Sequence, residues 1–455
     1  MRTFMLFAGP VLALVMGWVL VRAGFAADVA WTAGITVLCA SWWIFEPIPI
    51  PATSLIPIAV LPAVGVLTPE EVGESYGSPL VLLLLGGFIL STAMAKSGAH
   101  RRLALNMVSL FGGTGGRRLV FGFMAAAAVL SMWISNTATT LMLLPIVMAV
   151  LEKVRDPRLT ISLLLGVAYA ASVGGVGTPI GTPPNLVFMR VYAENTGIEP
   201  TFLEWMSWAL PVVVLMVPVV GLWLTRGMQK AEPIDLPPVG AWRTEEIRTL
   251  TVFAITAVLW MTRREPFGGW SELLGLTNAN DASVALAAVV VMFIVPNGHG
   301  ERLLDWETAT KIPWGILILF GAGITIAKAF VSSGLSVSLG SALATFGTLP
   351  LLLLIVLTCL TVTFLTEVTS NTATSTLLMP ILAAAAVSAS IDPKLIMVPA
   401  TISASFAFML PVATGPNAVI FGSQQFTVKQ MAREGFALNL LGVVLVSTIC
   451  YFMFG

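Results

Sequence analysis

Ser135-Asn136-Thr137-Ala138-Thr139 interrupts one apolar run of this chain, and Ser370-Asn371-Thr372-Ala373-Thr374 interrupts another in the same way. The first motif stands between two half-length apolar stretches, 119–134 and 138–151. A bilayer core of about 30 Å needs roughly 20 apolar residues per helix, so neither half crosses alone. Three adjacent polar side chains at the junction favour a re-entrant hairpin whose tip stops near mid-membrane; one straight helix with a polar kink is the alternative. The two motifs are related by a shift of 235 residues, which also lays Gly86 on Gly321 and Pro145 on Pro380. Ordered coincidences in one register point to an internal repeat.

Each half carries a second interruption. A run from 160 breaks at Gly174-Gly175-Val176-Gly177-Thr178-Pro179-Ile180-Gly181-Thr182-Pro183-Pro184-Asn185 and resumes to about 193. Prolines remove backbone donors and the glycines permit unusual backbone angles, so this span reads as two half-helices joined by unwound chain. The second half answers, three residues early, with Ala413-Thr414-Gly415-Pro416-Asn417.

Composition sets the medium. With 57% hydrophobic and 10% charged residues and a mean hydropathy of +0.93, the surface must face lipid. The segment from Phe4 to Val21 has only Arg2 before it and no clear small-residue cleavage site, so it reads as a first span. The 23 basic and 23 acidic residues leave no net charge to attract nucleic acid. Cys39, Cys359 and Cys450 are isolated in apolar runs and read as packing residues; His100 and His299 read as solvated loop residues.

The expected fold is an all-α polytopic membrane protein with about eleven transmembrane helices, two re-entrant hairpins, two inverted repeats and broken helices at the midplane. The first repeat covers 1–225, with helices over 1–100, a hairpin at 118–152 and a broken helix at 160–193. Its early spans fall near 4–22, 29–45, 52–67 and 79–96, followed by a polar stretch with Arg101, Arg102, Arg117 and Arg118. A span at 205–225 ends the repeat. A charged cytoplasmic linker, 226–248, leads to the second repeat at 249–455, with spans near 249–262 and 281–296, a hairpin at 347–391 and a broken helix at 395–423. With the N-terminus inside and the hairpins not crossing, most basic residues fall inside, among them Arg226, Arg243, Arg302 and Lys311. Arg22, Arg190, Arg263, Arg264 and Lys394 fall outside. If the hairpins crossed, this bias would blur.

Non-helical backbone at membrane depth is tolerated only where it is buried in protein or lines a cavity. Pseudo-symmetry brings the two Ser-Asn-Thr tips and the two proline-broken loops together at the midplane. Carbonyl, hydroxyl and amide oxygens there can replace the water shell of a hard monovalent cation, and helix N-termini can face an anion. No Lys or Arg lies in any of the four motifs, so an anion would be held by amides, hydroxyls, helix dipoles and neighbouring bound cations. Glu367, whose first-half counterpart is Met132, is the sole carboxylate near a tip; hairpin support by hydrogen bonds is its expected role. The runs Ala125-Ala126-Ala127-Ala128 and Ala383-Ala384-Ala385-Ala386 let helices approach closely, in a moving unit or a static bundle alike.

The paired tips, the Thr-Pro-Pro-Asn loop and Glu46-Pro47-Ile48-Pro49-Ile50-Pro51-Ala52-Thr53-Ser54 resemble the divalent anion/sodium symporter family over nearly the whole chain. That resemblance implies sodium-coupled symport of small di- and tricarboxylates of the succinate, malate and fumarate class, or of citrate or sulfate. It also implies a bacterial inner-membrane location, a homodimer with a scaffold domain, and an elevator-like transport domain. By position it implies a first sodium site from Ser131, Ser135, Asn136 and Gly181, and a second from Thr366, Thr369, Asn371 and Ala413. Substrate carboxylates would lie between Asn136-Thr137 and Asn371-Thr372, with Ser370, Thr414 and Pro416 nearby. The second loop departs from the pattern by reading Thr-Gly-Pro-Asn.

A sodium-independent dicarboxylate exchanger and a sulfate transporter share this fold, and a passive anion channel would share the polar tips. An intramembrane enzyme lacks support, since His-Glu-x-x-His does not occur and no nucleophile at membrane depth is paired with a base.

Overall fold

The structure, a computed structural model, describes residues 2–110, 116–152, 156–228, 240–264, 268–343 and 349–455. Their secondary structure is helical apart from one isolated bridge between Pro296 and Arg302. Among the described residues eight helical stretches are long and apolar enough to cross a membrane, and shorter apolar helices accompany them. Lys153, Arg155, Lys230 with the rest of 229–239 in the linker, and the start of the second hairpin lie outside the described residues.

The chain begins with an antiparallel pair, Arg2–Arg22 and Ala27–Phe45. A long side of the first helix stays exposed, with Phe4, Phe7, Leu14 and Trp18 all more than 60% accessible; such a surface suits lipid rather than water. The expected span at 52–67 is instead two short helices, Ile50–Thr53 and Leu55–Ala63. Proline spacing explains the break: Pro49, Pro51 and Pro57 limit each turn, and the Ser54 hydroxyl ties the junction to the second helix by accepting from Trp43 Nε1 at 3.1 Å. A capping box at Thr68 and Glu71 then starts Pro69–Tyr76, which leads into Pro79–Ser97.

The expected polar stretch after residue 98 is an amphipathic helix, Ala99–Leu110. Its Arg102 is buried and pairs with buried Glu246 at 2.6 Å, while also donating to the carbonyls of Gly240 and Ala241. That pair explains why the linker ends early: Thr244–Met261 starts a turn before 249, with Glu246 accepting from Arg243 N at 2.9 Å. His100 is not in a loop but in the first turn of Ala99–Leu110, with Nδ1 2.8 Å from the Met94 carbonyl. His299 lies in an exposed loop, 3.3 Å from Glu245. The three cysteines are buried and free.

Two helical hairpins follow from the polar interruptions. The first is Gly116–Ser131 and Asn136–Leu151, the second Leu351–Thr366 and Asn371–Ser388. Two broken helices follow them: Pro157–Gly175 with Pro183–Thr196, and Lys394–Ala404 with Gly415–Phe421. The alanine run of the first hairpin serves close approach, since a Cβ on Gly174 would sit 2.2 Å from the Ala128 carbonyl oxygen. The halves interleave. Asn371–Ser388 packs on Pro183–Thr196, and Gly415–Phe421 packs on Asn136–Leu151, so each hairpin rests against the broken helix of the other half. Phe202–Leu224, Asp281–Ile294, Trp314–Ser332 and Val428–Phe454 are the further long helices around them.

Ion pairs sort the charges by face. Lys96 meets Asp305 at 2.6 Å and Arg226 meets Glu434 at 2.6 Å, joining residues that the charge count puts inside. Arg263–Asp281 at 2.5 Å and Arg264–Glu199 at 4.0 Å join residues that it puts outside. A membrane slab between the two groups would separate none of these pairs.

Candidate transport site

Each tip owes its shape to a polar side chain that replaces a missing backbone partner. Helix N-termini leave orphan N–H groups. At the first tip Ser135 is the N-cap, its hydroxyl accepting from Ala138 N at 3.2 Å. Ser131, at the end of the preceding helix, donates to Asn136 Oδ1 at 2.6 Å and bridges the turn. The second tip repeats this link: the Thr366 hydroxyl lies 2.8 Å from Asn371 Oδ1 and 2.9 Å from the Ala404 carbonyl. Ser370, however, makes no cap bond, which leaves its hydroxyl to the cavity.

Asparagine also organises the unwound loops. Asn185 Nδ2 donates to the carbonyls of Gly175, Val176 and Thr178, at 3.1, 3.3 and 2.7 Å. Asn417 Nδ2 donates to those of Ala407 and Leu410, at 2.9 and 3.0 Å. In both, Oδ1 is buried with no donor on it. Buried acceptors of this kind need a partner, and a hard cation is one that oxygen can serve. Two glycines bring the first tip and loop together: a Cβ on Gly175 would lie 2.3 Å from Asn136 Oδ1, and one on Gly181 would lie 2.3 Å from the Gly175 carbonyl and 3.0 Å from that of Ser131. Ser131, Asn136 and Gly181 thus share one oxygen-rich corner.

At the second corner Thr366 and Asn371 are joined, and Thr369 and Ala413 line the neighbouring cavity. The Thr369 hydroxyl also donates to the Leu365 carbonyl at 2.9 Å and pairs with the Thr374 hydroxyl.

One cavity of about 1060 Å³ receives both tips and both loops. Ser135, Asn136, Thr137, Gly181, Thr182 and Pro183 line it from the first half. Thr369, Ser370, Asn371, Thr372, Ala413, Thr414, Gly415 and Pro416 line it from the second. Ser131 and Thr366 are fully buried behind the tips and do not line it. The helices Asn136–Leu151, Pro183–Thr196 and Asn371–Ser388 all start at its wall, so three positive dipole ends converge there. Among the described residues no cluster of His, Cys, Asp or Glu could hold a transition metal.

Glu367 stands beside this cavity, not in it. Its Oε1 accepts from Met409 N at 2.9 Å and Asn439 Nδ2 at 2.7 Å, and its Oε2 accepts from Leu410 N at 3.0 Å. It therefore closes the backbone of the second loop, in accord with the supporting role expected for it. Three charged residues missed by sequence reasoning also line the cavity, namely Arg2, Glu46 and Lys311. They are far apart in sequence, and nothing local marks them.

Comparison with known proteins places the whole chain. The family profile described as the sodium:sulfate symporter transmembrane region matches residues 2–454. The sodium-dependent dicarboxylate transporter SdcS of Staphylococcus aureus strain USA300 is 37% identical over 444 residues, covering 92% of this chain and 85% of that protein. SdcS of strain NCTC 8325 matches with the same identity and coverage. Among solved structures, the Alcanivorax borkumensis YdaH transporter has a TM-score of 0.60 at 14% identity, covering 87% of this chain and 89% of its own. Neisseria gonorrhoeae MtrF has a TM-score of 0.59 at 15% identity, covering 88% of this chain and 85% of its own. The two solved structures speak to fold alone.

Proposed function

Because the chain belongs to the sodium:sulfate symporter family, we propose that it is a secondary active transporter driving small di- and tricarboxylates across a bacterial inner membrane with sodium ions. The observation that carries this reading is the convergence of both tips and both unwound loops on one cavity whose motif residues offer oxygens, amides and helix N-termini but no formal cation. An anion held that way gains from sodium ions bound beside it, which couples the two. The printed name of the S. aureus relatives, sodium-dependent dicarboxylate transporter, agrees with it.

In this reading sodium binds at Ser131, Ser135, Asn136 and Gly181, and at Thr366, Thr369, Asn371 and Ala413. Substrate carboxylates take Asn136, Thr137, Ser370, Asn371, Thr372, Thr414 and Pro416. Eleven crossings, two re-entrant hairpins entering from opposite sides and two inverted repeats frame the site, with the N-terminus in the cytoplasm. The hairpins and broken helices form a unit that moves as an elevator against the scaffold helices of a homodimer. The description of the family profile favours a second reading, sulfate as the anion.

Uptake of radiolabelled succinate into proteoliposomes tests this directly, with an inward sodium gradient, with potassium in place of sodium, and with dicarboxylate loaded inside. Sodium-dependent accumulation is the expected result. Uptake that ignores sodium but requires internal dicarboxylate would make the protein an exchanger, and uptake of sulfate alone would establish the second reading.

A further inference from the structure

Among the described residues, the only charged side chains lining the central cavity are Arg2, Glu46 and Lys311. They come from three separate elements. Arg2 opens the first helix; Glu46 ends the second in a left-handed conformation, φ 45°, ahead of the proline-rich turn; Lys311 precedes Trp314–Ser332. Their exposure places them at the opening rather than the wall: 72% for the Arg2 side chain, 46% for Glu46 and 63% for Lys311. The pairs they make are loose, Arg2 to Glu46 at 3.4 Å and Lys311 to Glu307 at 3.2 Å. Exposed pairs of this geometry are weak, so both cations can exchange a protein carboxylate for another one.

We propose that Arg2 and Lys311 form a vestibular anion site at the cavity mouth, opposed by Glu46, which concentrates the dicarboxylate dianion before it reaches the uncharged tips. The inference rests on the transport reading and adds to it where formal positive charge meets the substrate. The lining carries two cations against one anion, Glu307 pairing with Lys311 from off the lining where a dianion can displace it, and low-dielectric walls focus the field. Arg2 begins the N-terminal helix, and the charge count puts it and Lys311 in the cytoplasm, so the vestibule serves the inner face. There it captures internal substrate and slows its escape.

Sidedness and sign supply the test. Succinate half-saturation is measured at fixed sodium and low ionic strength in inside-out and right-side-out membrane vesicles, for the native protein, the Arg2→Gln/Lys311→Gln pair, each single variant and Glu46→Gln. In inside-out vesicles the double variant raises half-saturation about three- to tenfold, more than it lowers the maximal rate, and Glu46→Gln lowers it. Added choline chloride erases both differences, because screening at high salt shortens the reach of the charges. Right-side-out vesicles show neither shift. A double variant that matches the native protein at low ionic strength in inside-out vesicles overturns the vestibule, as does a Glu46→Gln shift in the same direction as the lysine and arginine variants. Native sodium-driven uptake in the same vesicles distinguishes the failures: if it persists only the vestibule falls, and if it is absent the transport reading falls and takes the vestibule with it.

Discussion

The two hairpin tips carry the same Ser-Asn-Thr-Ala-Thr motif and the same hydroxyl-to-asparagine link, yet they are held from behind by different means. Behind the first tip the support is backbone: Thr178 donates its hydroxyl to the Met132 carbonyl, and Trp205 Nε1 donates to that of Val176 at 2.8 Å. Behind the second stands a carboxylate, Glu367, at the position matching Met132, taking two amides of the longer unwound segment between Ala404 and Gly415. The difference follows from loop length. Fewer unwound residues leave fewer orphan donors, and the longer loop needs an acceptor with two oxygens. The faces toward the cavity are alike, while the supports behind them have diverged.

The largest effect should come from breaking the support that only one half has. Glu367→Ala strips three hydrogen bonds from a buried carboxylate and should cost on the order of 4 kcal/mol, read as a large loss of thermal stability in detergent. Met132→Ala at the matching place should leave the melting temperature within a few degrees. Equal losses would erase the asymmetry. Glu367→Gln, which keeps the shape and one carbonyl oxygen, should fall between them.

Loop sequence gives the next test. Thr-Gly-Pro-Asn replaces Thr-Pro-Pro-Asn for a steric reason: a Cβ on Gly415 would lie 2.0 Å from Thr137 Oγ1 and 3.1 Å from its Cβ. Gly415→Ala should therefore destabilise by about 1–3 kcal/mol, and Thr137→Ala in the same chain should restore most of that stability. Pro183→Ala, in the first loop, should cost only roughly 0.4–1 kcal/mol, through the greater freedom of the unfolded chain. Thermal unfolding of the native protein, Gly415→Ala, Thr137→Ala, their double variant and Pro183→Ala decides this, and an additive double variant would show that Thr137 is not what the glycine accommodates.

Where the halves are matched, the effects should match. Asn185→Ala removes three donor contacts and Asn417→Ala two, but the Val176 carbonyl keeps Trp205, that of Thr178 keeps Gly181 N and that of Leu410 keeps Ala413 N, so each change orphans one carbonyl, Gly175 or Ala407. Their costs should agree within about 1 kcal/mol. The smallest effect lies outside the membrane. The hydrogen bond from Lys96, with those from Thr308, draws the Asp305 carboxyl from 3.8 down to about 2. Folding depresses this pKa, so the pairing contributes above the ordinary carboxylate value and is lost as pH falls toward about 2. Asp305→Asn should flatten that part of the acid unfolding curve and lower neutral stability slightly, because the exposed pairing with Lys96 is lost.

Much of this was legible in the sequence because membranes make irregular backbone expensive. Ser135-Asn136-Thr137 in an apolar run, and prolines at 179, 183 and 184, leave few alternatives to a tip and a broken helix. The supporting role of Glu367 was legible for the same reason. What hydropathy could not convey was anything set by contacts between distant segments. The segment 52–67 is apolar enough for a span, yet its prolines divide it into two short helices. Ala99–Leu110 is too polar to register as membrane structure, and its amphipathic period is clear only once buried Arg102 meets Glu246. That the Thr369 hydroxyl pairs with Thr374, five residues on, while the residue lines the cavity, is likewise set by the fold of the hairpin. The interleaving of hairpin and broken helix across the halves, and the arrival of Arg2 and Lys311 at one cavity, depend on tertiary packing that no local window contains.

The central claim is that the two tips are halves of one sodium and substrate site. It is tested most directly by sodium-driven succinate uptake into proteoliposomes carrying Asn136→Ala or Asn371→Ala, each compared with the native protein at equal inserted amounts. Each substitution removes a polar ligand without changing the hydrophobicity of a span, so both variants should insert normally and lose uptake. Normal uptake by both would contradict the site.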